Sequence, residues 1–386
     1  MNKKIGIDAR LWNETGVGRY IRNLVSYLQS LDTKNQYVLF VRSEDYEELK
    51  KNFGLKANWK IVKADIRWHS FAEQILFPYL LYKEHLDLIH FPYFSFPLLY
   101  RKKFVITIHD LILHHFSTGE ASTLSPLLYR AKLFAYKFLL SQGAKRAEKI
   151  ITVSQATKSE IIDHLHVPES KVEVTYEGSS KLKTGTQNSK RELKAQNYFL
   201  YVGNVYPHKN VMKLIKAFHV FSLNFQLLTK EKSVDEHSKV KLILVGKKDF
   251  FYTKLQEKVE QLQLQNEVLF YHHVSDEELA NLYQHALALV MPSCMEGFGL
   301  PALEAMANEC LVIASKIPSL QEICKNAAIY IDPWNTQDIL NTLRDVYLKK
   351  NTFTKYKKAG LERVQNFSWE KMARETINIY ENSISL

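Results

Sequence analysis

The chain alternates short apolar runs, rich in β-branched and aromatic residues, with longer stretches in which apolar residues recur at helical spacing. Such runs predict β-strands in two series, one in each half of the chain. In order they are KKIGIDA, YVLFVR, WKIVKA, LDLIHF, FVITIH, KIITVS and KVEVTY, followed by YFLYVG, VKLILVG, EVLFYHH, ALALVMP, CLVIAS and AIYID. The alternation of strand and helix predicts parallel sheets covered on both faces, and therefore an α/β protein.

The strand series restarts after a stretch that has no apolar periodicity. Residues 178–197, GSSKLKTGTQNSKRELKAQN, are rich in Gly, Ser, Thr and Lys, which is typical of a linker. The predicted domains are 1–180 and 198–367, with 181–197 as the linker and 368–386 as a C-terminal helix. A chain of 386 residues with 46% hydrophobic content can bury a core in each domain.

Cysteine usage and the first residues bear on the cellular compartment. The three cysteines, Cys294, Cys310 and Cys324, have no metal-type pairing such as C-x-x-C and predict a reducing compartment. The opening MNKKIGIDARLW reaches Asp8 and Arg10 after only a few apolar residues, so it does not supply the apolar core of a signal peptide. No run has the roughly 18 apolar residues that a membrane span needs. These features predict a cytoplasmic protein.

Positive charge is concentrated in the first half of the chain. The net charge is +11, and through Arg191 there are 29 Lys and Arg against 19 Asp and Glu. This asymmetry indicates an anionic partner, or a basic surface that is merely solvated. In SPLLYRAKLFAYKFLL (125–140), basic residues alternate with Leu, Tyr and Phe. That mixture suits an acidic membrane surface or an ordinary core helix. No basic-aromatic module or recognition-helix pattern accompanies the charge, so nucleic acid is not expected.

Open α/β domains bind ligands in the loops that follow their strands. Gly16 and Gly18 follow the first predicted strand and open a helix, where a diphosphate could approach the helix N-terminus. A tight turn made for packing explains them equally well, because the third glycine of a dinucleotide fingerprint is absent. His109 ends the strand FVITIH, where it is a hydrogen-bond donor to a ligand or a structural histidine. Lys209, near a helix start after YFLYVG, suits a pyrophosphate or is simply solvated.

Two carboxylates flank a glycine-rich turn in MPSCMEGFGLPALEAMANEC. Gly297 and Gly299 allow the chain to turn closely around a ligand. Glu304 falls about one turn inside the following helix, where a purely structural acid would look the same. Glu296 precedes the turn and would face the N–H groups at the start of that helix. Two acceptors around an anion site suit a ligand with a central diphosphate and diols at both ends, which describes a nucleotide sugar.

The sequence resembles glycosyltransferase family 4, the retaining transferases of GT-B fold, over nearly its whole length. The resemblance rests on EGFGLPALEAMA with its E-x7-E motif, on ITVSQATKSEII, PSLQEI and AAIYIDP, and on FSWEKMA. It implies two Rossmann-like parallel-sheet domains facing a central cleft. The N-terminal domain would bind the acceptor and the C-terminal domain the nucleotide sugar, with the last helix returning to the N-terminal domain.

The resemblance also implies residue roles. His109 and Glu296 would face the transferred sugar as catalytic groups, and Glu304 would hold the ribose. The implied donor-binding residues are Gly16, Gly18, Asn204, Lys209, Gly297, Phe298, Gly299, Leu300 and Glu304. Asn204 and His208 stand where many members have arginine. The diphosphate would therefore depend on Lys209 and on helix N-termini.

The implied reaction moves a sugar from a nucleoside diphosphate to a hydroxyl with retained anomeric configuration. The HD dipeptide and EGFGLP look most like mannosyltransferases that use GDP-mannose, acting on a glycan or lipid-linked acceptor in surface polysaccharide synthesis at the inner membrane face. A UDP-sugar or dTDP-rhamnose donor is the alternative. No D-x-D occurs, so neither a metal nor another cofactor is expected. The paired acids could also suggest a glycoside hydrolase, but the phosphate-seeking loop between them argues against it. A nicotinamide enzyme and a non-catalytic nucleotide-sugar binder remain alternatives.

Overall fold

The chain folds into two compact units. The computed structural model describes residues 2–117, 125–179, 197–230 and 240–385. Unit 1 comprises Met1–Gly178 with Ser368–Leu386, and unit 2 comprises Ser179–Phe367. The predicted linker, 181–197, lies outside the described residues except for its last position.

The strands predicted from the apolar runs are confirmed, and they form two sheets. Unit 1 contains β1 (Lys4–Asp8), β2 (Gln36–Val41), β3 (Trp59–Lys63), β4 (Leu88–Phe91), β5 (Phe104–Ile108), β6 (Lys149–Thr152) and β7 (Val172–Val174). Unit 2 contains β8 (Tyr198–Val202), β9 (Lys241–Val245), β10 (Val268–Tyr271), β11 (Ala288–Met291), β12 (Val312–Ser315) and β13 (Ala328–Ile331). All pairings within both sheets are parallel.

Helices connect the strands, as the helical spacing between the apolar runs predicts. Those of unit 1 are α1 (Gly16–Leu31), α2 (Ser43–Asn52), α3 (Phe71–Lys83), α4 (Ile112–His115), α5 (Pro126–Arg146), α6 (Gln155–Leu165) and, from the end of the chain, α14 (Trp369–Ser385). Those of unit 2 are α7 (Val211–Lys230), α8 (Phe250–Gln261), α9 (Asp276–His285), α10 (Leu300–Ala307), α11 (Pro318–Cys324), α12 (Thr336–Leu348) and α13 (Thr354–Val364).

The strand order reverses once in each sheet. The orders are β3-β2-β1-β4-β5-β6-β7 and β10-β9-β8-β11-β12-β13. In an open parallel sheet, connections on the two sides of such a reversal leave toward opposite faces, so a crevice opens at the carboxyl ends of the two central strands. In unit 2 those strands are β8 and β11, which are followed by Lys209 and Glu296 respectively. The topology therefore brings two candidate residues from distant parts of the chain to one edge.

The C-terminal helix packs within unit 1. Helix α14 packs against α1, and its Tyr380 hydroxyl lies 2.7 Å from Nδ1 of His90 in β4. In the same unit, Phe77 of α3 and Leu140 of α5 are buried in one apolar core. The C-terminal helix thus belongs to the N-terminal unit, as the family resemblance implies.

Among the residues that the structure describes, no helix combines the length and the apolar character that crossing a bilayer requires.

Candidate active site

The glycine-rich turn before α10 requires glycine at position 299. The φ angle of Gly299 is +109°, a conformation that L side chains rarely adopt, and a Cβ atom there would lie 2.7 Å from Cδ2 of Leu320. Helix α10 begins at the next residue and has Pro301 in its first turn. Glu304 consequently lies one turn inside the helix, where the sequence pattern predicts it.

Glu304 is held by a residue that the sequence pattern does not reveal. Its side chain is buried, and the Tyr283 hydroxyl donates to Oε2 at 3.0 Å. Tyr283 belongs to α9, which ends before the strand that leads into the turn. This hydrogen bond orients the carboxylate, because buried polar atoms are normally hydrogen-bonded and rotation would leave this oxygen without its donor.

Lys209 and Glu296 form a direct ion pair. Lys209 Nζ lies 2.6 Å from Glu296 Oε2, and the Ser293 hydroxyl donates to Oε1 at 2.7 Å. The two charged side chains are only 17% and 9% exposed. Burial alone would raise the pKa of Glu296, but Lys209 and the Ser293 hydrogen bond outweigh it and hold that pKa below its ordinary value. The carboxylate is therefore ionised at neutral pH and paired with a cation.

The loop after β8 is shaped to hold Lys209 in place. Pro207–Lys209 form a single 3-10 turn, and Asn210 follows in the left-handed conformation. The Asn210 amide donates to the carbonyl oxygens of Pro292 and Pro333 at 3.0 and 2.7 Å. These bonds tie the lysine loop to the loop that carries Glu296.

The family resemblance implies arginine at two positions that here hold Asn204 and His208, and neither side chain supplies a cation. Burial and neighbouring Lys209 lower the pKa of His208 to about 4, so it is neutral at pH 7. Its backbone oxygen accepts from the Cys294 amide at 2.7 Å, which is a structural contact. Asn204 has a buried side-chain oxygen, Oδ1, without a hydrogen-bond partner in the described part of the chain.

The two glycines after β1 differ in what surrounds them. A Cβ atom on Gly18 would lie 2.4 Å from the carbonyl oxygen of Trp12 and 2.8 Å from that of Leu11, so packing alone explains this glycine. A Cβ on Gly16 would meet nothing within 4 Å. The packing explanation therefore accounts for Gly18 and leaves Gly16 without one.

His109 is oriented by its neighbours in unit 1. Its Nε2 donates to the Pro92 carbonyl oxygen at 3.0 Å, because a carbonyl can only accept. Its Nδ1 lies 3.6 Å from Glu177 Oε1, and the ring packs edge-on against Tyr20 with centroids 4.9 Å apart. The imidazole is thus fixed between a carbonyl and a carboxylate, and no sequence pattern indicates either of them.

A series of buried, hydrogen-bonded polar side chains begins at Tyr20, which contacts His109. Thr107 Oγ1 is 2.7 Å from Nε2 of His90 and 3.4 Å from the Tyr20 hydroxyl. Burial, with a smaller effect of His109, lowers the pKa of His90 to about 3. The neutral ring can then both donate and accept, which satisfies Thr107 on one side and Tyr380 on the other.

Within the described ranges, no group of three or more His, Cys, Asp or Glu side chains is arranged to hold a metal ion.

The protein has the GT-B fold, with two units that each contain a parallel sheet whose strand order reverses once. The structure of sucrose-phosphate synthase from Thermosynechococcus elongatus has a similar fold. Its TM-score is 0.76 with 19% sequence identity, and the superposition covers 100% of both chains. At this identity the likeness concerns the fold alone.

Sequence comparison then identifies the family. The model described as Glycosyltransferase Family 4 matches residues 15–179, and the one described as Glycosyl transferases group 1 matches residues 184–363. The chain belongs to glycosyltransferase family 4, which confirms the resemblance found in the motifs.

Two similar proteins are both named as O-antigen chain mannosyltransferases. The O-antigen chain mannosyltransferase RfbU of Salmonella typhimurium is 33% identical over 64% of this chain and 65% of its own length. The O-antigen chain mannosyltransferase B of Escherichia coli is 29% identical over 95% of this chain and 96% of its own length.

Proposed function

We propose that this glycosyltransferase transfers mannose from GDP-mannose to a hydroxyl of a glycan or lipid-linked acceptor in surface polysaccharide synthesis, with retained configuration. The names of the two relatives support mannose as the sugar. The observation that most directly supports the chemistry is the 2.6 Å pair of Lys209 and Glu296 at the carboxyl ends of adjacent strands, beside the E-x7-E helix.

The proposed chemistry uses this pair where charge develops. In the transition state the bond from the anomeric carbon to the diphosphate breaks, so the leaving group gains negative charge and the sugar gains positive charge. The acceptor hydroxyl oxygen bonds to the same carbon on the same face, and its proton passes to the leaving diphosphate. Lys209 would turn from Glu296 to the diphosphate, and the freed carboxylate would face the sugar. Groups already oriented in a site with little water stabilise such charges strongly.

The family resemblance supplies the remaining proposed contacts. Glu304 would accept hydrogen bonds from the ribose, and His109 would contact the sugar. The proposed donor contacts are Gly16, Gly18, Asn204, Lys209, Gly297, Phe298, Gly299, Leu300 and Glu304. No metal or other cofactor has a role in this scheme.

A donor panel tests the proposal. Thermal shift with GDP-mannose, UDP-sugars and dTDP-rhamnose would rank the donors, and release of nucleoside diphosphate in the presence of an acceptor extract would measure turnover. We expect GDP-mannose to give both the largest shift and the release. Turnover with another nucleotide sugar would change the donor, and binding without any release would make the chain a non-catalytic binder.

Two substitutions separate the roles of the acids. Glu304→Ala should raise the KM for the donor about tenfold to a hundredfold, since it removes charge-assisted hydrogen bonds of about 1.5–3 kcal/mol. Glu296→Ala should lower kcat by about a hundredfold or more and change affinity for free GDP much less. Ser293→Ala is the matched control, because it keeps the ion pair and should cost less than tenfold. Full activity in both glutamate variants would contradict the assignment.

A further inference from the structure

Three aromatic side chains of unit 1 form a cluster that is partly open to solvent. The rings of Trp68 and His69 have centroids 4.5 Å apart, and Trp68 packs edge-on against Tyr93 at 5.8 Å. The His69 and Tyr93 rings lie 6.2 Å apart. Trp68 and Tyr93 are half-buried, and His69 is exposed. We call these three residues the aromatic cluster. Rigid rings of this kind offer binding area at low entropic cost, because each side chain has only two torsions to fix.

The aromatic cluster lies at the carboxyl edge of the unit 1 sheet. Trp68 and His69 belong to the connection after β3, and Tyr93 comes two residues after the end of β4. Strands β1 to β4 are parallel, so these connections leave from the same edge. The strand order of this sheet reverses between β1 and β4. Ligands of open parallel sheets bind at such a reversal, outside the carboxyl ends of the strands.

His109 lies at the same edge. It follows β5, which is the neighbour of β4 in the sheet. Its Nε2 donates at 3.0 Å to the carbonyl oxygen of Pro92, the residue directly before Tyr93. A molecule bound on the aromatic cluster would therefore lie beside the histidine that contacts the transferred sugar in the proposed function.

A buried ion-pair network fixes the loop before α3. The Arg10 guanidinium pairs with Asp8 and with Glu73, in both cases at 2.7 Å. It also donates to the Ile66 carbonyl oxygen at 3.1 Å, and Glu73 accepts from the His69 amide at 2.7 Å. Arg10 and Glu73 are buried. Because a buried ion pair contributes little net stability, the main effect of this network is a defined loop geometry.

The backbone of His69 is strained. Its φ angle is +59°, in the left-handed region that residues other than glycine seldom adopt. Such residues persist only where the surrounding structure holds them, and they are concentrated at functional sites. Here the bond to Glu73 holds the His69 amide, while the imidazole stays exposed. The loop is thus fixed through its backbone, and the ring is left accessible to a ligand.

We propose that the aromatic cluster binds the terminal pyranose ring of the acceptor, with Trp68 and Tyr93 as specificity-determining residues. One face of a pyranose presents C–H groups that can pack on an aromatic ring, and its hydroxyls project sideways. Trp, Tyr and His side chains match this arrangement, because each combines an apolar ring with a polar edge. The assignment rests on the proposed function, since it gives the acceptor of that reaction its binding site.

Polar atoms in the aromatic cluster favour a sugar over a hydrocarbon chain as the occupant. A hydrocarbon laid over the cluster would remove water from the exposed imidazole of His69 and offer no hydrogen bond in return. Leaving a polar group without a partner is unfavourable. Sugar hydroxyls can replace the displaced water as donors and acceptors.

Saturation-transfer NMR with simple glycosides tests the proposal. The full chain, without donor, is mixed separately with the methyl glycosides of mannose, galactose, rhamnose and N-acetylglucosamine, and with mannitol. Mannitol has the hydroxyls of mannose but no pyranose face. We expect at least one glycoside to bind, with saturation concentrated on the C–H groups of one face, and mannitol not to bind. Absence of binding by all four glycosides, or equal binding of mannitol, overturns the proposal. Octyl phosphate that binds where no glycoside does would assign the cluster to a lipid carrier, which also overturns it.

Substitutions locate the bound glycoside. Trp68→Ala and Tyr93→Ala should each lower its saturation transfer and its affinity about fivefold to tenfold, as expected when an aromatic contact residue is truncated. Trp68→Phe should stay within about threefold of wild type, because an aromatic face remains. Tyr79→Ala is the matched control, since Tyr79 is 68% exposed on α3, about two turns beyond Phe71. Unchanged binding in both alanine variants of the cluster, or an equal loss in Tyr79→Ala, overturns the site.

The same variants keep this proposal separate from the proposed function. Trp68 and Tyr93 are only half-buried, so the melting temperatures of their alanine variants should stay within a few degrees of wild type. Glycoside binding that depends on the cluster, without nucleoside diphosphate release from any donor, would reject the proposed function and leave the sugar site intact. Transfer to an acceptor extract at the wild-type rate and acceptor dependence in both variants would overturn the sugar site and leave the proposed function intact.

Discussion

At the scale of single residues, the pair of Lys209 and Glu296 has the clearest chemical consequence. A buried ion pair contributes little net stability, because desolvation of both charges offsets their attraction. Loss of one partner, in contrast, leaves an uncompensated charge. A pair of this kind is suited to exchange, since an incoming diphosphate can replace the carboxylate as the partner of Lys209 at small electrostatic cost.

The same pair underlies a prediction about metal ions. We expect transfer activity to survive incubation with EDTA within about twofold, because Lys209 would compensate the leaving diphosphate in place of a divalent ion. Initial rates before and after the chelator, with buffer exchange as the control, measure this. Activity that disappears in EDTA and returns with magnesium or manganese would contradict the charge argument.

Among the helices, the start of α1 has two glycines whose substitution can distinguish a packing role from a ligand-binding role. Gly18→Ala should destabilise the protein by about 1–3 kcal/mol, because its Cβ would lie 2.4 Å from a backbone oxygen and must displace it. Gly16→Ala should leave stability unchanged or slightly higher, since its Cβ meets nothing and alanine favours helix.

Kinetics of the same two variants complete that prediction. If a diphosphate approaches the first turn of α1, the added methyl in Gly16→Ala raises the donor KM although the fold is intact. Calorimetry and steady-state rates on both variants give the comparison. A destabilised Gly16→Ala, or a Gly18→Ala as stable as wild type, would contradict the packing geometry.

The sequence pattern of helix α3 does not indicate which side of the helix is buried. The segment FAEQILFPYLLYK is apolar around most of its circumference, so periodicity does not tell its inner from its outer side. The ion pair of Glu73 with Arg10 settles the orientation and leaves Phe71 and Tyr79 in solvent. Arg10 lies 63 positions away in sequence from Glu73, and local spacing carries no information about such a partner.

At the scale of the whole molecule, buried histidines predict instability in acid. The pKa is lowered from 6.5 to about 3 for His90 and to about 4 for His208, in each case first of all by burial. The folded state thus holds these rings neutral, while the unfolded chain takes up protons below pH 6.5. Their contribution to stability is complete above pH 6.5 and is lost as the pH falls toward 4, at about 1.4 kcal/mol per pH unit for each ring.

Calorimetry between pH 7 and pH 4 measures this loss. His90→Gln is the informative variant, because it can keep a polar contact to Thr107 while it removes one titrating ring. Its stability should be lower at pH 7 but should decline less steeply in acid, in the transition that belongs to unit 1. A wild-type protein that is equally stable at pH 7 and pH 4.5 would contradict the assignment.

Local sequence patterns predict the strands, their division into two series and the positions of Glu296 and Glu304 around a helix start. These features are local, because apolar runs reflect burial on both faces of a parallel sheet and the two glutamates lie only eight positions apart. The side-chain partners, in contrast, depend on the tertiary fold. Lys209 meets Glu296, 87 positions away, because the sheet order sets β8 beside β11, and no local pattern encodes which strands become neighbours.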